Sequence, residues 1–373
     1  MRVLYITNIP SPYRVEFFNE LSNYCDLTVI FERDNAKDRE DSWLLKKTLN
    51  FKSIFLKGKE LGTDASFSFD IIKYLKKFKN DVIVIGVYST PTQMLAIKYL
   101  KIKNIPFILN ADGGMRKNDS TLKYKIKKHF ISSASLWIST GKTTNDYLIY
   151  YGAKKDKIFT YPFTSLENQD ILEKIIPQKV KLNLKNKLNI KEKKVVLAIG
   201  QFIYRKGFDI LIKSCAKISN EYGVYIIGGN PPKEYIELRD KLNLSNVKFI
   251  GFKSKNELKE YYMASDVFVL PTREDIWGLV INEAMAYGLP IITTDKCVAG
   301  IELIKDNENG FIVPVDNEIV LAEKIENILC NDVLNKDIQK KNLDKIKYYT
   351  IERMAKVHYE IFSEFIGEKN GRD

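Results

Sequence analysis

Short apolar runs alternate with amphipathic stretches from the first residues of the chain. The apolar runs have four to six residues and are rich in β-branched side chains, which is typical of buried strands. The stretches between them repeat their apolar residues at helical spacing. This order predicts a parallel sheet covered by helices on both faces. The first series of predicted strands comprises residues 3–7, 27–31, 82–87, 106–110 and 136–140.

The alternation stops around residues 164–193, which are rich in Lys, Asn, Gln and Glu, and then restarts. Polar segments of this kind usually mark linkers. We therefore predict two doubly wound α/β domains, 1–170 and 193–348, with a linker over 171–192. A C-terminal helix within 349–373 would pack on the second domain or cross back to the first. Ligands of such sheets bind beyond the carboxyl ends of the strands, so two facing domains predict a cleft between them. The second series of predicted strands comprises 195–199, 224–227, 247–250, 267–270, 290–293 and 310–313.

The charge of the chain is divided unevenly between its halves. The 373 residues carry a net charge of +12, which favours contact with an anionic partner. Residues 1–190 hold 32 basic and 19 acidic side chains, a net +13, whereas residues 191–373 hold 27 and 28, a net −1. The excess positive charge therefore belongs to the first half. Nucleic acid, membrane and phosphorylated substrates are all compatible with it.

Other residue counts argue against several classes of protein. The four cysteines lie far apart without a shared spacing, which disfavours a disulfide framework and fits a reducing cytosol. Neither His129 nor His358 has a Cys or His at metal-ligand spacing, so no zinc site is expected. No apolar run reaches the roughly 18 residues that span a bilayer, and the run at residues 3–6 is too short for a signal peptide. We expect a cytoplasmic protein that does not cross a membrane.

The first candidate site is the segment 200–207, Gly-Gln-Phe-Ile-Tyr-Arg-Lys-Gly, between a predicted strand and a predicted helix. Arg205 and Lys206 beside a helix N-terminus can neutralise a diphosphate, because the exposed N–H groups and the helix dipole favour the same anion. The pair can equally be two solvated surface cations. The segment does not match the dinucleotide motif G-x-G-x-x-G, which disfavours an NAD or FAD enzyme.

The second candidate site spans residues 270–290. Asp275 ends a strand-to-helix loop, and Glu283 follows eight positions later in an otherwise apolar helix. A buried carboxylate needs partners. Sugar hydroxyls would serve Glu283, and so would a Lys or a backbone amide of the core. Phosphate oxygens could bind the backbone N–H groups at the start of this helix, which belong to Gly278, Leu279 and Val280.

Together these segments resemble the retaining nucleotide-sugar glycosyltransferases of family 4, which have the GT-B fold of two facing Rossmann-like domains. The resemblance is strongest over residues 195–313, including 261–271 and Asn309-Gly-Phe. In the N-terminal half it is weaker and rests on residues 10–18 and 138–152. The resemblance implies that the first domain binds the acceptor and the second binds the nucleotide sugar.

The resemblance also implies roles for single residues. The family has a signature of two acidic residues separated by seven others, and its second acid binds the ribose hydroxyls, which assigns that role to Glu283. Asp275, one methylene shorter than the usual Glu, would lie near the donor sugar and the reacting centre. Arg205 and Lys206 would bind the donor diphosphate, together with the helix start at Gly278, Leu279 and Val280. Gln201 replaces an Arg frequent in relatives, which leaves one fewer cation. The nucleobase side would be formed by Gly251, Phe252 and Lys253.

The implied reaction breaks an anomeric C–O bond and leaves negative charge on a nucleoside diphosphate, so it needs fixed positive potential. Metal-dependent enzymes of this kind usually have an Asp-x-Asp pair, and no two Asp residues here are separated by one residue. We therefore predict metal-independent transfer without a cofactor. In the family, a diphosphate oxygen takes the proton of the acceptor.

Three residues of the first half are candidates for the acceptor side. Asp112 precedes two glycines after a predicted strand, where it could orient the acceptor hydroxyl or serve only as a turn residue. Tyr13 and Arg14 occupy a loop where many relatives have paired glycines, and would shape the acceptor pocket.

A basic segment covers residues 122–131. On a helix Leu122, Ile126 and Phe130 share one face, which is flanked by lysines. This pattern suits an anionic membrane surface. An ordinary solvated helix with its apolar face in the core explains the same residues. The lysines are Lys123, Lys125, Lys127 and Lys128.

We therefore expect a glycosyltransferase that moves a sugar from a UDP- or GDP-sugar to a glycan or a polyprenyl- or other lipid-linked acceptor, in bacterial surface polysaccharide synthesis such as lipopolysaccharide or capsule. It would act in the cytoplasm at the inner face of the membrane, as a monomer or weak oligomer. One alternative is a sugar-phosphate synthase with a soluble acceptor. Another is a nucleic-acid-binding protein, although no aromatic-basic motif or zinc finger supports it.

Overall fold

A computed structural model of the chain describes residues 1–34, 49–61, 65–77 and 79–370. The chain forms two compact units. The first comprises Met1–Thr164 together with Thr350–Asp373, and the second comprises Ser165–Tyr349. Each unit is built around one large parallel sheet. The predicted α/β class with two doubly wound sheets is confirmed.

The first unit contains a seven-stranded sheet. Its strands and those of a small hairpin are β1 (Arg2–Thr7), β2 (Asp26–Phe31), β3 (Lys52–Phe55), β4 (Lys59–Leu61), β5 (Ala65–Phe67), β6 (Val82–Ile85), β7 (Ile108–Ala111), β8 (Leu136–Ser139) and β9 (Ile158–Thr160). The order in the large sheet is β3-β2-β1-β6-β7-β8-β9, and every pair is parallel. Strands β4 and β5 pair separately and antiparallel. The helices preceding the second unit are α1 (Pro12–Leu21), α2 (Asp70–Lys77), α3 (Pro91–Ile102), α4 (Thr121–Ile131) and α5 (Lys142–Tyr150).

The second unit contains a six-stranded sheet. Its strands are β10 (Lys194–Ile199), β11 (Tyr222–Ile227), β12 (Val247–Ile250), β13 (Val267–Leu270), β14 (Ile291–Thr294) and β15 (Gly310–Val313). They run parallel in the order β12-β11-β10-β13-β14-β15. Its helices are α6 (Gln178–Lys187), α7 (Phe208–Cys215), α8 (Lys233–Lys241), α9 (Lys255–Ala264), α10 (Leu279–Ala286), α11 (Val298–Leu303), α12 (Glu318–Cys330) and α13 (Asp332–Ile346).

The central strands of both sheets are buried on both faces, because helices cover each side. All four residues of β6, β7, β8 and β13 are buried. This explains why they form continuous apolar runs in the sequence rather than alternating patterns.

The segment predicted as a linker belongs to the second unit and contains α6. The apolar side chains of Val180 and Leu182 on this helix are 39% and 55% exposed, whereas Lys181 and Lys185 are buried. The two lysine Nζ atoms lie 2.9 and 3.2 Å from the carboxylate oxygens of Asp266. Because α6 contacts the unit through lysines rather than an apolar stripe, its sequence lacks the signal of a packed helix.

The last helix, α14 (Ile351–Asn370), belongs to the first unit and packs against α1. Its residues Met354, Ala355 and Phe362 are buried. The ring of His358 lies 4.7 Å from that of Phe17 on α1, measured between centroids. Of the two placements that the sequence allowed, the helix therefore takes the one on the first unit.

Candidate active site

In the second unit, β10 and β13 are neighbours although they are not consecutive in the chain. The strand order therefore reverses between them, and this is the point where doubly wound sheets bind ligands. The loops 200–207 and 271–278 follow these two strands. Both candidate sites of the sequence thus lie at the carboxyl edge of one sheet, side by side.

The first loop folds into a 3-10 turn, Tyr204–Lys206, directly before α7. Lys206 Nζ lies 2.7 Å from one carboxylate oxygen of Asp275, and an Arg205 guanidinium nitrogen lies 3.5 Å from the other. The side chains of Lys206 and Asp275 are 12% and 9% exposed, whereas that of Arg205 is 43% exposed. Two cations and one carboxylate thus form a cluster with net positive charge, and its lysine is held by the aspartate rather than solvated.

The two loops are joined closely through their backbones. The Arg273 N–H donates to the carbonyl oxygen of Arg205 at 2.8 Å, and the Thr272 hydroxyl donates to the same oxygen at 2.8 Å. Gly207 has a φ of +68°, and a Cβ placed on it would lie 2.1 Å from the Pro271 carbonyl oxygen. This position therefore requires glycine for its left-handed backbone and for the close approach of the second loop.

The second loop ends at Gly278, whose φ of +104° also favours glycine. Helix α10 begins at the next residue, so Leu279 and Val280 form its first turn. The exposed N–H groups of a helix start favour an anion. The structure therefore places a helix N-terminus on the same loop as Asp275.

Glu283 lies in the middle of α10. Its carboxylate accepts hydrogen bonds from the Tyr262 hydroxyl at 2.9 Å and from the Ser165 hydroxyl at 3.1 Å. Burial raises the pKa of Glu283, and the two hydroxyls oppose the rise. Within the described ranges no Lys or Arg reaches ion-pair distance of this carboxylate, so the core partners considered from the sequence, a Lys or a backbone amide, are not the ones it has.

The predicted nucleobase residues follow β12. Gly251 lines a cavity of about 550 Å³ together with Tyr225 and Phe249. The side chain of Phe252 is 44% exposed. Lys253 donates to Glu257 on α9 at 2.9 Å. These residues are therefore accessible, and their contact with a base stays a prediction.

In the first unit, Asp112 follows β7 at the carboxyl edge of the sheet. It forms an ion pair with Arg14 and accepts hydrogen bonds from the Tyr161 hydroxyl and the Asn110 amide, both at 2.6 Å. Its carboxylate is thus held by side chains from three parts of the chain rather than by its own turn. Arg14 is only 6% exposed, and Tyr13 is half-buried against Phe163.

Three further residues of this cluster, Asn110, Tyr161 and His358, had no role predicted from the sequence. His358 Nε2 lies 3.2 Å from Asn110 Oδ1, and its Nδ1 lies 2.8 Å from the Met354 carbonyl oxygen. Burial lowers the pKa of His358 to about 4. Tyr161, Asn110 and His358 are distant from one another in the sequence, so no local motif could have identified the cluster.

Within the described parts of the chain, no group of three or more His, Cys, Asp or Glu side chains is arranged to hold a metal ion. The positive charge beside Asp275 comes from Arg205 and Lys206.

Two doubly wound sheets, one with a cationic turn and a helix start at its switch point, are the arrangement of the GT-B fold. The solved structure of Anabaena HepE in complex with UDP has the same fold: its TM-score is 0.79 at 17% identity, and the match covers 98% of this chain and 100% of that one. Residues 180–345 match the family described as glycosyl transferases group 1.

Two curated relatives carry more specific names. The N,N'-diacetylbacillosaminyl-diphospho-undecaprenol alpha-1,3-N-acetylgalactosaminyltransferase of Campylobacter jejuni is 24% identical over 312 residues, which cover 80% of this chain and 81% of that protein. The lipopolysaccharide glucosyltransferase WaaG of Escherichia coli is 26% identical over 210 residues, 55% of this chain and 53% of that protein.

Proposed function

We propose that this protein is a retaining, metal-independent glycosyltransferase that moves a sugar from a UDP- or GDP-sugar to a glycan or lipid-linked acceptor in surface polysaccharide synthesis. The assignment of a nucleotide-sugar donor rests on the surroundings of Glu283. This acid sits on the helix that starts at the switch point, and its partners are hydroxyls rather than a cation. Ribose hydroxyls are further donors of the same kind.

The donor diphosphate would bind between the cationic turn and the start of α10. Negative charge develops on the leaving diphosphate as the anomeric bond breaks, and donors fixed in advance at that position stabilise the transition state. Arg205, whose side chain is 43% exposed, can turn towards the ligand. Lys206 is already held in place by Asp275. Asp275 would in addition lie near the donor sugar.

Asp112 would orient the acceptor hydroxyl in the first unit. The ion pair with Arg14 and the hydrogen bonds from Tyr161 and Asn110 hold its carboxylate in one orientation. Positioning of this kind favours reaction by keeping the acceptor oxygen close to the anomeric carbon, on the side of the leaving diphosphate. The proton of the acceptor would pass to a diphosphate oxygen of the donor.

The names of the two relatives support the acceptor class. One acts on a diphospho-undecaprenol-linked sugar and the other on lipopolysaccharide. Both names include a lipid, and the first also a diphosphate, whose negative charge agrees with the net charge of +13 over residues 1–190.

The proposal is tested by incubating the protein with UDP-glucose, UDP-N-acetylglucosamine and GDP-mannose in the presence of EDTA, with a lipid extract as acceptor. We expect release of nucleoside diphosphate from one donor and a product whose anomeric proton has the α configuration of the donor in its NMR spectrum. Inversion would contradict the retaining mechanism, and transfer to a soluble phosphosugar would identify the synthase alternative. Loss of turnover in EDTA, with recovery upon addition of Mg²⁺, would contradict metal independence.

We further propose that α4 contacts an anionic membrane on the cytoplasmic side. Leu122 and Ile126 are 70% and 42% exposed, and Lys123, Lys125 and Lys128 beside them are exposed as well. Exposed aliphatic side chains among lysines suit the interface of an anionic bilayer. Within the described ranges, no helix is long and apolar enough to cross a membrane.

We predict that replacing Leu122 and Ile126 together by Ser weakens binding to phosphatidylglycerol-containing vesicles by at least about tenfold, since each buried aliphatic side chain contributes about 1.5 kcal/mol or more. Co-sedimentation with vesicles measures the effect. Val333→Ser on α13 is the matched control, because Val333 is 80% exposed in the second unit. Unchanged binding of the double variant, or equal binding to neutral vesicles, would contradict the proposal.

A further inference from the structure

Arg273 lies in the second loop of the donor site but has no part in the chemistry described so far. It is the third residue after β13 and lies two positions before Asp275. Its side chain is only 12% exposed, although it carries a full charge. A buried charge of this kind is retained only where several partners fix it.

The guanidinium group joins three separate parts of the unit. Two of its nitrogens donate to the carboxylate of Asp209, on the first turn of α7, at 2.9 and 2.7 Å. Its Nε lies 2.7 Å from Asp316, which follows β15. One nitrogen also donates to the carbonyl oxygen of Tyr204 at 2.7 Å, and the group stacks on the Tyr204 ring, 3.9 Å from its centroid.

Tyr204 is the first residue of the 3-10 turn that presents Arg205 and Lys206. A 3-10 turn is weak by itself because its hydrogen bonds have poor geometry. In this one, the Tyr204 side chain is 74% exposed, so core packing does not hold it in place. The Arg273 guanidinium group therefore fixes the start of the turn at Tyr204. The backbone N–H of Arg273 fixes the middle of the turn, since it donates to the Arg205 carbonyl oxygen at 2.8 Å.

We propose that Arg273 is a positioning residue of the diphosphate site, which fixes the turn Tyr204–Lys206 so that its two cations keep their place beside Asp275. The proposal rests on the proposed function of this site. A lysine could not replace it, because one ammonium group cannot pair with both oxygens of Asp209 and also reach the Tyr204 carbonyl in a fixed plane. Small displacements of a charge-stabilising group cost about 10²-fold in rate.

The first experiment concerns the turn alone and needs no substrate. Amide hydrogen exchange is compared in wild type, Arg273→Met and Arg273→Lys. We expect both variants to speed exchange in a peptide covering 200–207 by about tenfold or more, and to leave a peptide covering 194–199 unchanged. The control is Arg2→Met, which removes a 3.0 Å ion pair with Asp81 in the first unit. Unchanged exchange at 200–207 in both Arg273 variants would overturn the proposal.

The second experiment measures donor hydrolysis with the nucleotide sugar that the wild type accepts. We expect Arg273→Met to lower kcat by about 10²-fold and to change KM by less than about threefold, because the cations act mainly on the developing charge. In a Lys206→Ala background, the loss of kcat caused by Arg273→Met should be smaller by at least about threefold, because Arg273 acts in part through Lys206. Equal losses in both backgrounds, or an unaffected kcat, would overturn the proposal.

The two experiments separate the inference from the proposed function. Suppose that exchange at 200–207 is faster in the Arg273 variants but the wild type hydrolyses no nucleotide sugar. This result would contradict the proposed function and still support Arg273 as the residue that fixes the turn. Melting temperatures identify a variant that fails to fold, and Arg273→Lys, which keeps the charge, then provides the test.

Discussion

We expect Lys206→Ala to lower kcat for donor breakdown by about 10²- to 10³-fold, the loss typical of removing one fixed group that stabilises charge in a transition state. Lys206 is 12% exposed and held 2.7 Å from Asp275, so it is in place before the donor binds. Arg205→Ala should lose less, because that side chain is 43% exposed and less fixed. Initial rates of nucleoside diphosphate release measure both effects.

Lys206→Ala also affects stability, since it leaves Asp275 buried with only Arg205 as a charged partner, at 3.5 Å. Removing one partner of a buried pair costs about 3 kcal/mol or more. The double variant Lys206→Ala with Asp275→Asn removes both charges and should recover much of the melting temperature without recovering activity. Lys213→Ala, an exposed lysine on α7, is the matched control. Full activity of Lys206→Ala would contradict the role of the cationic turn in the donor site.

The second large effect is expected for Glu283→Gln, which should weaken nucleoside diphosphate binding by about 10- to 100-fold. A hydrogen bond to a charged group contributes about 1.5–3 kcal/mol, and the ribose would lose its bonds to the carboxylate. The hydroxyls of Tyr262 and Ser165 can still donate to the amide oxygen, so the fold should not change. Titration calorimetry measures the affinity.

The same substitution should leave the unliganded protein as stable or make it more stable. Burial raises the pKa of Glu283 above its usual 4.5, so the native state binds this proton more tightly than the unfolded state does. Native stability therefore falls as the pH rises above 4.5 towards the raised pKa, and at neutral pH the ionised group destabilises the fold. Glutamine removes this penalty. The melting temperature of Glu283→Gln relative to wild type should thus increase from acid to neutral pH.

Glu323→Gln provides the control for both measurements, because the Glu323 side chain is 65% exposed on α12. It should change neither the affinity nor the pH dependence of the melting temperature. If Glu283→Gln melts well below the wild type at neutral pH, the carboxylate contributes to the fold rather than to the ligand.

The central strands could be predicted from the sequence because buried parallel strands form continuous apolar runs, as β7 and β13 do. The edge strands β3 and β9 were not predicted, because they are only partly buried and lack such a run. The two loops of the candidate donor site could also be predicted, because the loops after β10 and β13 carry charged residues at recognisable spacings. Helix α6 could not be predicted, because it buries lysines against Asp266. Asp112 and Arg14 were candidates from the sequence, but their contacts with each other and with Tyr161 could not be predicted, because these residues meet only in the folded unit.

The central claim is that the second unit binds a nucleoside diphosphate through Glu283 and Lys206 without a metal. Titration of UDP and of GDP, in EDTA, into wild type, Glu283→Gln and Lys206→Ala tests it most directly. We predict that the wild type binds one of the two nucleotides and that each variant binds it at least about tenfold more weakly. Failure of the wild type to bind either nucleotide, or equal binding by all three proteins, would contradict the claim.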